Sequence, residues 1–242
     1  MKTILKELNK LEKSKQHLSL WILLTFSLWC SSAHALYLSS DVFVIDADQS
    51  FLSRQFLNDS KLTNMYFINV YQIDRPGKAE VTSPIHGGEI MYTPLRIVVG
   101  PGQFEYFKVF YSGPKDEQER YYRMQIREVP LHAIKDQALD KDLIVSTIVA
   151  LDTYLVVRPR KEVFSYHYDE VKGVLTNTGN TFFTVNMNQG CLAENDDNAE
   201  VFNLLPGQTS THALLKGRHK KFIVIFNQYK QLGSQCFEES MS

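Results

Sequence analysis

Hydrophobic and polar positions alternate along most of this 242-residue chain, in short runs divided by turn residues. A period of two is the pattern of a strand with one face buried. MYFINVYQI (Met65–Ile73) ends at Asp74-Arg75-Pro76-Gly77, and RIVV (Arg96–Val99) ends at Gly100-Pro101-Gly102. QFEYFKVFY (Gln103–Tyr111) runs to Ser112-Gly113-Pro114, and RYYRMQIREV follows from Arg120. Further strand runs are VFSYHYDEV, GVLTNTGNTFFTVNM, AEVFNLLPGQ, THALL and KKFIVIFNQY. The gaps hold proline, which presets φ, and glycine, which reaches positive φ without a steric cost. Helical periodicity is weak apart from the connection Leu131–Asp142, which reads as a short helix or a loop. Many short strands with regular turns predict an all-β chain of sandwich architecture.

One run is longer than the rest. LIVSTIVALDTYLVVRP (Leu143–Pro159) is apolar and alternating and stops at an Arg-Pro, whereas most strands have about five or six residues. A long strand at a sheet edge presents unpaired N–H and C=O groups to any other chain, so this run points to a protein that pairs strands. Arg158-Pro159-Arg160-Lys161 is the predicted domain boundary. It divides an N-terminal domain, 36–158, from a C-terminal domain, 159–242, each with strands enough for an immunoglobulin-like sandwich.

Residues 1–35 read as a signal peptide. Lys2, Lys6, Lys10, Lys13 and Lys15 form a basic start, Leu18–Cys30 an apolar core, and Ala33-His34-Ala35 puts small residues where a signal peptidase reads them. The mature chain then starts at Leu36. The segment carries five Lys and two Glu, so its removal takes the formal net charge from −1 to −4, a balance that does not suggest a nucleic-acid partner. Both tryptophans, Trp21 and Trp29, leave with it, so the sandwiches must pack on Phe, Tyr and aliphatic side chains. Cys191 and Cys236 remain. In an exported chain they either form a disulfide, which would contribute roughly 4 kcal/mol in the chain-entropy model, or stay as two free thiols.

Catalytic patterns are missing from the sequence. His86, His132, His167, His212 and His219 are scattered, with no HxH or HExxH spacing for a metal. There is no GxSxG elbow and no glycine-rich phosphate loop. Asp116-Glu117-Gln118-Glu119-Arg120 and the basic Lys216–Lys221 stretch read as solvated loops or turns. The expectation is a protein that is not an enzyme and takes no cofactor, metal or small-molecule substrate.

The order and spacing of TPLRIVVGPGQ (Thr93–Gln103), FEYFKVFYSGP, RYYRMQIREVP, DTYLVVRPR and GVLTNTGNTFFTVNMNQGC (Gly173–Cys191) resemble those of the periplasmic chaperones of fimbrial assembly. These are PapD-like in the broad sense, and the likeness is nearest to the EcpB/EcpE family of the common-pilus operon. The resemblance implies two immunoglobulin-like domains arranged as a boomerang, in the periplasm. It also implies that the protein stabilises major or tip pilus subunits by donor-strand complementation and hands them to an outer-membrane usher. The run ending at Arg158-Pro159 is then the donor strand, with Val145, Thr147, Val149 and Leu151 entering the subunit's groove. The opposite row is Ile144, Ser146, Ile148 and Ala150, and a one-residue slip of register would exchange the two. The family's basic anchors for the subunit's C-terminal carboxylate fall at Ser40 and Tyr154, neither of them basic. Arg123, Arg127 and Arg158 are the candidate substitutes. The alternative reading is a secreted β-sandwich adhesin or a structural pilus subunit.

Overall fold

The computed structural model describes residues 36–131, 148–191, 199–233 and 236. The expected signal peptide, most of the 131–142 connection, and Ile144, Val145, Ser146 and Thr147 lie outside the described residues. The first part of the chain forms β1 (Leu36–Leu38), β2 (Val42–Ile45), β3 (Phe51–Asn58), β4 (Asn64–Ile73), β5 (Thr82–Ser83), β6 (Ile90–Thr93), β7 (Arg96–Val99), β8 (Phe104–Tyr111), β9 (Arg120–Pro130) and β10 (Val149–Val157). The second part forms β11 (Tyr166–Asp169), β12 (Val174–Asn177), β13 (Phe183–Asn188), β14 (Glu200–Leu204), β15 (Thr209–Thr211), β16 (Lys220–Ile225) and β17 (Gln228–Gln231).

These strands make two β-sandwiches. In the first, a sheet ordered β1-β3-β8-β6 packs on one ordered β2-β10-β9-β4-β5, with β7 also paired to β4. In the second, β11-β12-β15 packs on β14-β13-β16-β17. The alternation in the sequence decides which side chains face inward. On β4, Tyr66, Ile68 and Val70 are buried, and on the neighbouring β9 so are Tyr122, Met124 and Ile126. Phe43 meets Phe107 edge-on at 5.3 Å and Phe56 meets Tyr66 at 5.2 Å, arrangements that suit the ring quadrupole. The second core gathers Leu175, Phe183, Val185, Met187, Ile223 and Ile225. A third cluster joins the two halves: Ile73, Tyr121 and Val156 from the first, Phe182 and Leu205 from the second.

Several sequence expectations need correction. THALL is not a strand: Ala213–Leu215 is a 3-10 turn, because the His212 ring accepts the Leu214 N–H at 3.1 Å and Leu215 is drawn into the core. KKFIVIFNQY is two strands rather than one. Phe226 and Asn227, at φ 50° and 57°, form a two-residue turn between β16 and β17, the twist that tight hairpins require. The two charge runs are not wholly solvated. Glu119 is buried, and Arg120 is clamped by Asp116 at 2.7 Å and by Glu89 at 2.9 Å. Lys221 is 1% exposed, with its ammonium on Glu170 at 2.9 Å and on the Gly217 carbonyl at 2.8 Å.

Candidate subunit-binding edge

β10 has two different edges. Along one it pairs antiparallel with β9 from Val149 to Val157. Along the other it pairs in parallel with β2, and only from Tyr154 to Val157. The reason lies in the first residues of the fold. The chain leaves β1 in one sheet and crosses to the other at Ser39–Asp41, where Ser40 Oγ bonds both N–H and C=O of Val42. It therefore reaches β10 only at Tyr154, whose N–H bonds to the Asp41 carbonyl at 2.9 Å. Among the described residues, no strand covers the outer edge of Val149–Thr153.

The side chains follow the same gradient. Thr153, Leu155 and Val157 point into the first core and are at most 2% exposed, Leu151 is half-buried, and Val149 is 37% exposed. One row of alternate residues thus begins in the protein's own core and emerges into solvent. On the opposite row Ile148, Ala150 and Asp152 are exposed and Tyr154 is half-buried. Below the open segment, a cleft of about 190 Å³ between the two sandwiches is lined by Asp41, Tyr154, Val156, Phe182, Asn203 and Leu205 among others. Ser40 is exposed at the sheet crossing, and Tyr154 occupies the cleft.

The three candidate arginines sit in different surroundings. Arg123 faces Tyr154 across the β9–β10 pair. Its Nη2 donates to Glu80 Oε2 at 2.6 Å and to the Tyr154 hydroxyl at 2.9 Å, its Nε donates to Glu80 Oε1, and its Nη1 lies 3.2 Å from Asp152. The hydrogen bonds it donates to Glu80 raise the guanidinium pKa above its already high ordinary value. Arg123 thus carries one positive charge against two carboxylates. Arg127 is exposed on the same face of β9, over the Phe67 ring at 5.3 Å. Arg158 is enclosed between the sandwiches: it donates to Thr181 Oγ1 and the Phe182 carbonyl, approaches Asp46 at 3.3 Å, and stacks on Phe182 at 4.5 Å.

Sequence reasoning missed Glu119, the carboxylate opposite Arg158. It accepts from Thr181 Oγ1 at 2.6 Å, from the Phe182 N–H at 3.0 Å and from the Tyr121 hydroxyl at 2.6 Å. Burial raises its pKa, and these donors, together with Arg158, oppose that rise. The network ties the start of β9 to the start of β13. Elsewhere, Cys191 and Cys236 are joined at 2.06 Å, closing the chain that runs from the end of β13 past β17.

No protein-family model matches the chain. A curated relative from Escherichia coli O127:H6, named probable fimbrial chaperone EcpE, is 31% identical over 195 residues, covering 80% of this chain and 82% of the relative. The probable fimbrial chaperone EcpB of Escherichia coli O157:H7 is 29% identical over 198 residues, covering 81% and 87% of the two chains. Among solved structures, the E. coli chaperone DraB shares the fold, with a TM-score of 0.53 at 14% identity over 83% of this chain and 98% of DraB.

Proposed function

The chain belongs to the family of probable fimbrial chaperones that includes EcpE and EcpB, and from that premise we propose that it holds pilin or adhesin subunits in the periplasm by adding β10 to them. The observation that carries this is the open edge of Val149–Thr153. Strand addition obtains affinity from main-chain hydrogen bonds and specificity from alternate side chains. Here the backbone groups of Val149–Thr153 face no strand on one side among the described residues, and the row that would enter a subunit is Val145, Thr147, Val149 and Leu151. A subunit lacking a strand exposes an apolar groove that would otherwise aggregate, and covering it until an outer-membrane usher takes over is the protein's task.

Residues 1–35 are the leader removed on export, and 158/159 is the boundary between the two sandwiches. Arg123 is the proposed anchor for a subunit's C-terminal carboxylate, with Arg127 farther along the same face. A guanidinium suits the role because its fork binds a carboxylate bidentately. Arg158, enclosed by Thr181 and Phe182, holds the sandwiches together instead.

The test is co-expression with each subunit encoded beside it, followed by purification from periplasmic extract. A one-to-one complex that protects an otherwise degraded subunit supports the reading. Subunits that stay soluble and unbound without the protein refute it. Replacing Val145, Val149 and Leu151 together with Glu should abolish capture while far-UV circular dichroism stays that of the parent. Capture that survives this change places the donor row elsewhere.

A further inference from the structure

Four charged side chains are buried among the described residues: Glu119, Glu128, Arg158 and Lys221. Three of them meet an opposite charge. Glu119 lies 4.0 Å from Arg158, Arg158 also approaches Asp46, and Lys221 pairs with Glu170. Glu128 is the exception. It is 6% exposed on the inner face of β9, and no described Lys, Arg or His pairs with it. Its Oε1 accepts from Asn64 Nδ2 at 2.6 Å, and its Oε2 accepts from the main-chain N–H of Leu36 at 3.2 Å. A buried carboxylate without a counter-charge is costly to keep ionised, and burial accordingly raises this one.

Leu36 is also the residue that the Ala33-His34-Ala35 motif marks as the first of the mature chain. We propose that Glu128 is a built-in receptor for the α-ammonium group that leader cleavage creates at Leu36, so that processing completes the seating of the first strand. The inference rests on the leader reading above. In the cleavage, a signal peptidase hydrolyses the Ala35–Leu36 amide with one water: Ala35 leaves with a carboxylate, and Leu36 keeps an amine that takes a proton at neutral pH. An amide with one donor and no charge becomes an ammonium with three donors and a full charge, at the oxygen it already touches. The leader motif and the buried carboxylate are independent observations, and both point to the same nitrogen.

The surroundings suit this. On β4, Tyr66 stands beside the carboxylate, its hydroxyl pushed up to about 12 by burial, and thus neutral. Asn64 is held in turn by Ser60 Oγ at 2.8 Å and Asn58 Oδ1 at 3.3 Å. On β10, the residue opposite Glu128 is Val149, where the described part of the open strand begins. The mature N-terminus is therefore fixed at the level of the open edge. An uncleaved chain would bury Glu128 against an amide instead.

The experiment begins with the secreted protein, whose intact mass gives its first residue. Its α-amino group is then labelled by reductive ¹³C-methylation, which keeps the charge, and titrated by NMR in the parent and in Glu128→Gln. The expected result is an α-amino pKa about 1–3 pH units above its ordinary value of roughly 7.7–8.0, returning to that value in the variant. A chain with one extra residue before Leu36 should also titrate at the ordinary value, which serves as the check if Glu128→Gln does not fold. A mass that does not begin at Leu36 overturns the leader reading and this proposal together. A chain that begins at Leu36 but titrates normally overturns the proposal alone.

Discussion

Replacing Glu119 with Ala removes the carboxylate that joins the two sandwiches. Three groups lose their acceptor, Thr181 Oγ1, the Phe182 N–H and the Tyr121 hydroxyl, and the Arg158 guanidinium loses a carboxylate 4.0 Å away. Arg158 is 6% exposed and keeps Asp46, Thr181 and the Phe182 carbonyl. Leaving three buried donors without their acceptor, at about 1–3 kcal/mol each, puts the cost at about 3–5 kcal/mol. At a urea m-value of about 2–3 kcal/mol/M, the midpoint should fall by roughly 1–2.5 M. Residues 36–242 contain no Trp, so the assay on that part of the chain is equilibrium urea unfolding followed by far-UV circular dichroism and tyrosine emission. Because the loss falls on the contact between the sandwiches, the two probes should separate into two transitions in the variant. Glu119→Gln, which keeps one acceptor oxygen but not the charge, should lie between Ala and the parent. A shift below about 0.3 M for the Ala variant, with coincident transitions, would refute the view that this carboxylate couples the two halves.

Arg123→Ala should weaken subunit capture by roughly 1.5–3 kcal/mol, the range for a charge-assisted hydrogen bond; Glu80→Gln, which relieves Arg123 of one of its two carboxylates, should strengthen it, and titration calorimetry with a purified subunit reads both. The hydrogen bond from Arg120 lowers Asp116 to about 2. A lowered carboxylate stabilises the fold above its unfolded pKa of about 3.9 and loses that contribution as the pH falls through its folded value, so Asp116→Asn should flatten the acid limb of the stability curve between about pH 4 and 2. Asn177→Ala should cost about 2–4 kcal/mol by urea unfolding, since Nδ2 of this buried side chain caps the Thr181 and Leu204 carbonyls at 2.9 Å each. Cys191→Ser with Cys236→Ser should cost roughly 4 kcal/mol on the chain-entropy account; a thermal midpoint equal to the parent's would set that account aside for this loop.

The strands that sequence made legible are those bracketed by strong turn chemistry. RIVV is β7 residue for residue, because Thr93-Pro94 precedes it and Gly100-Pro101-Gly102 follows. β4, β8 and β9 fell within a few residues for the same reason. Where the punctuation is a single Asn, as at Phe226-Asn227, an apolar run looks continuous and the hairpin is hidden. The three strands before Asn64 were not read from the alternation. Of the candidate functional features, the alternating run before Arg158-Pro159 is local, and its described part is the strand Val149–Val157. That β2 covers only its last four described residues is decided by pairing across more than a hundred positions. Glu119 was read as part of a solvated acidic run because nothing near it in the chain reveals Thr181 and Phe182, some sixty residues on. Lys221 was hidden among exposed basic neighbours for the same reason: its partner Glu170 is distant in sequence.

The half-covered strand has a mechanical consequence. From Tyr154 onward β10 is held on both sides, and Leu155 and Val157 are wholly within their own core. From Val149 to Thr153 its outer backbone groups face no strand of this chain among the described residues. Engaging or releasing that segment therefore breaks no internal rung of the ladder. A guest strand can come and go at one end while the other end works as a fixed hinge pin, and the host need not unfold to let it leave.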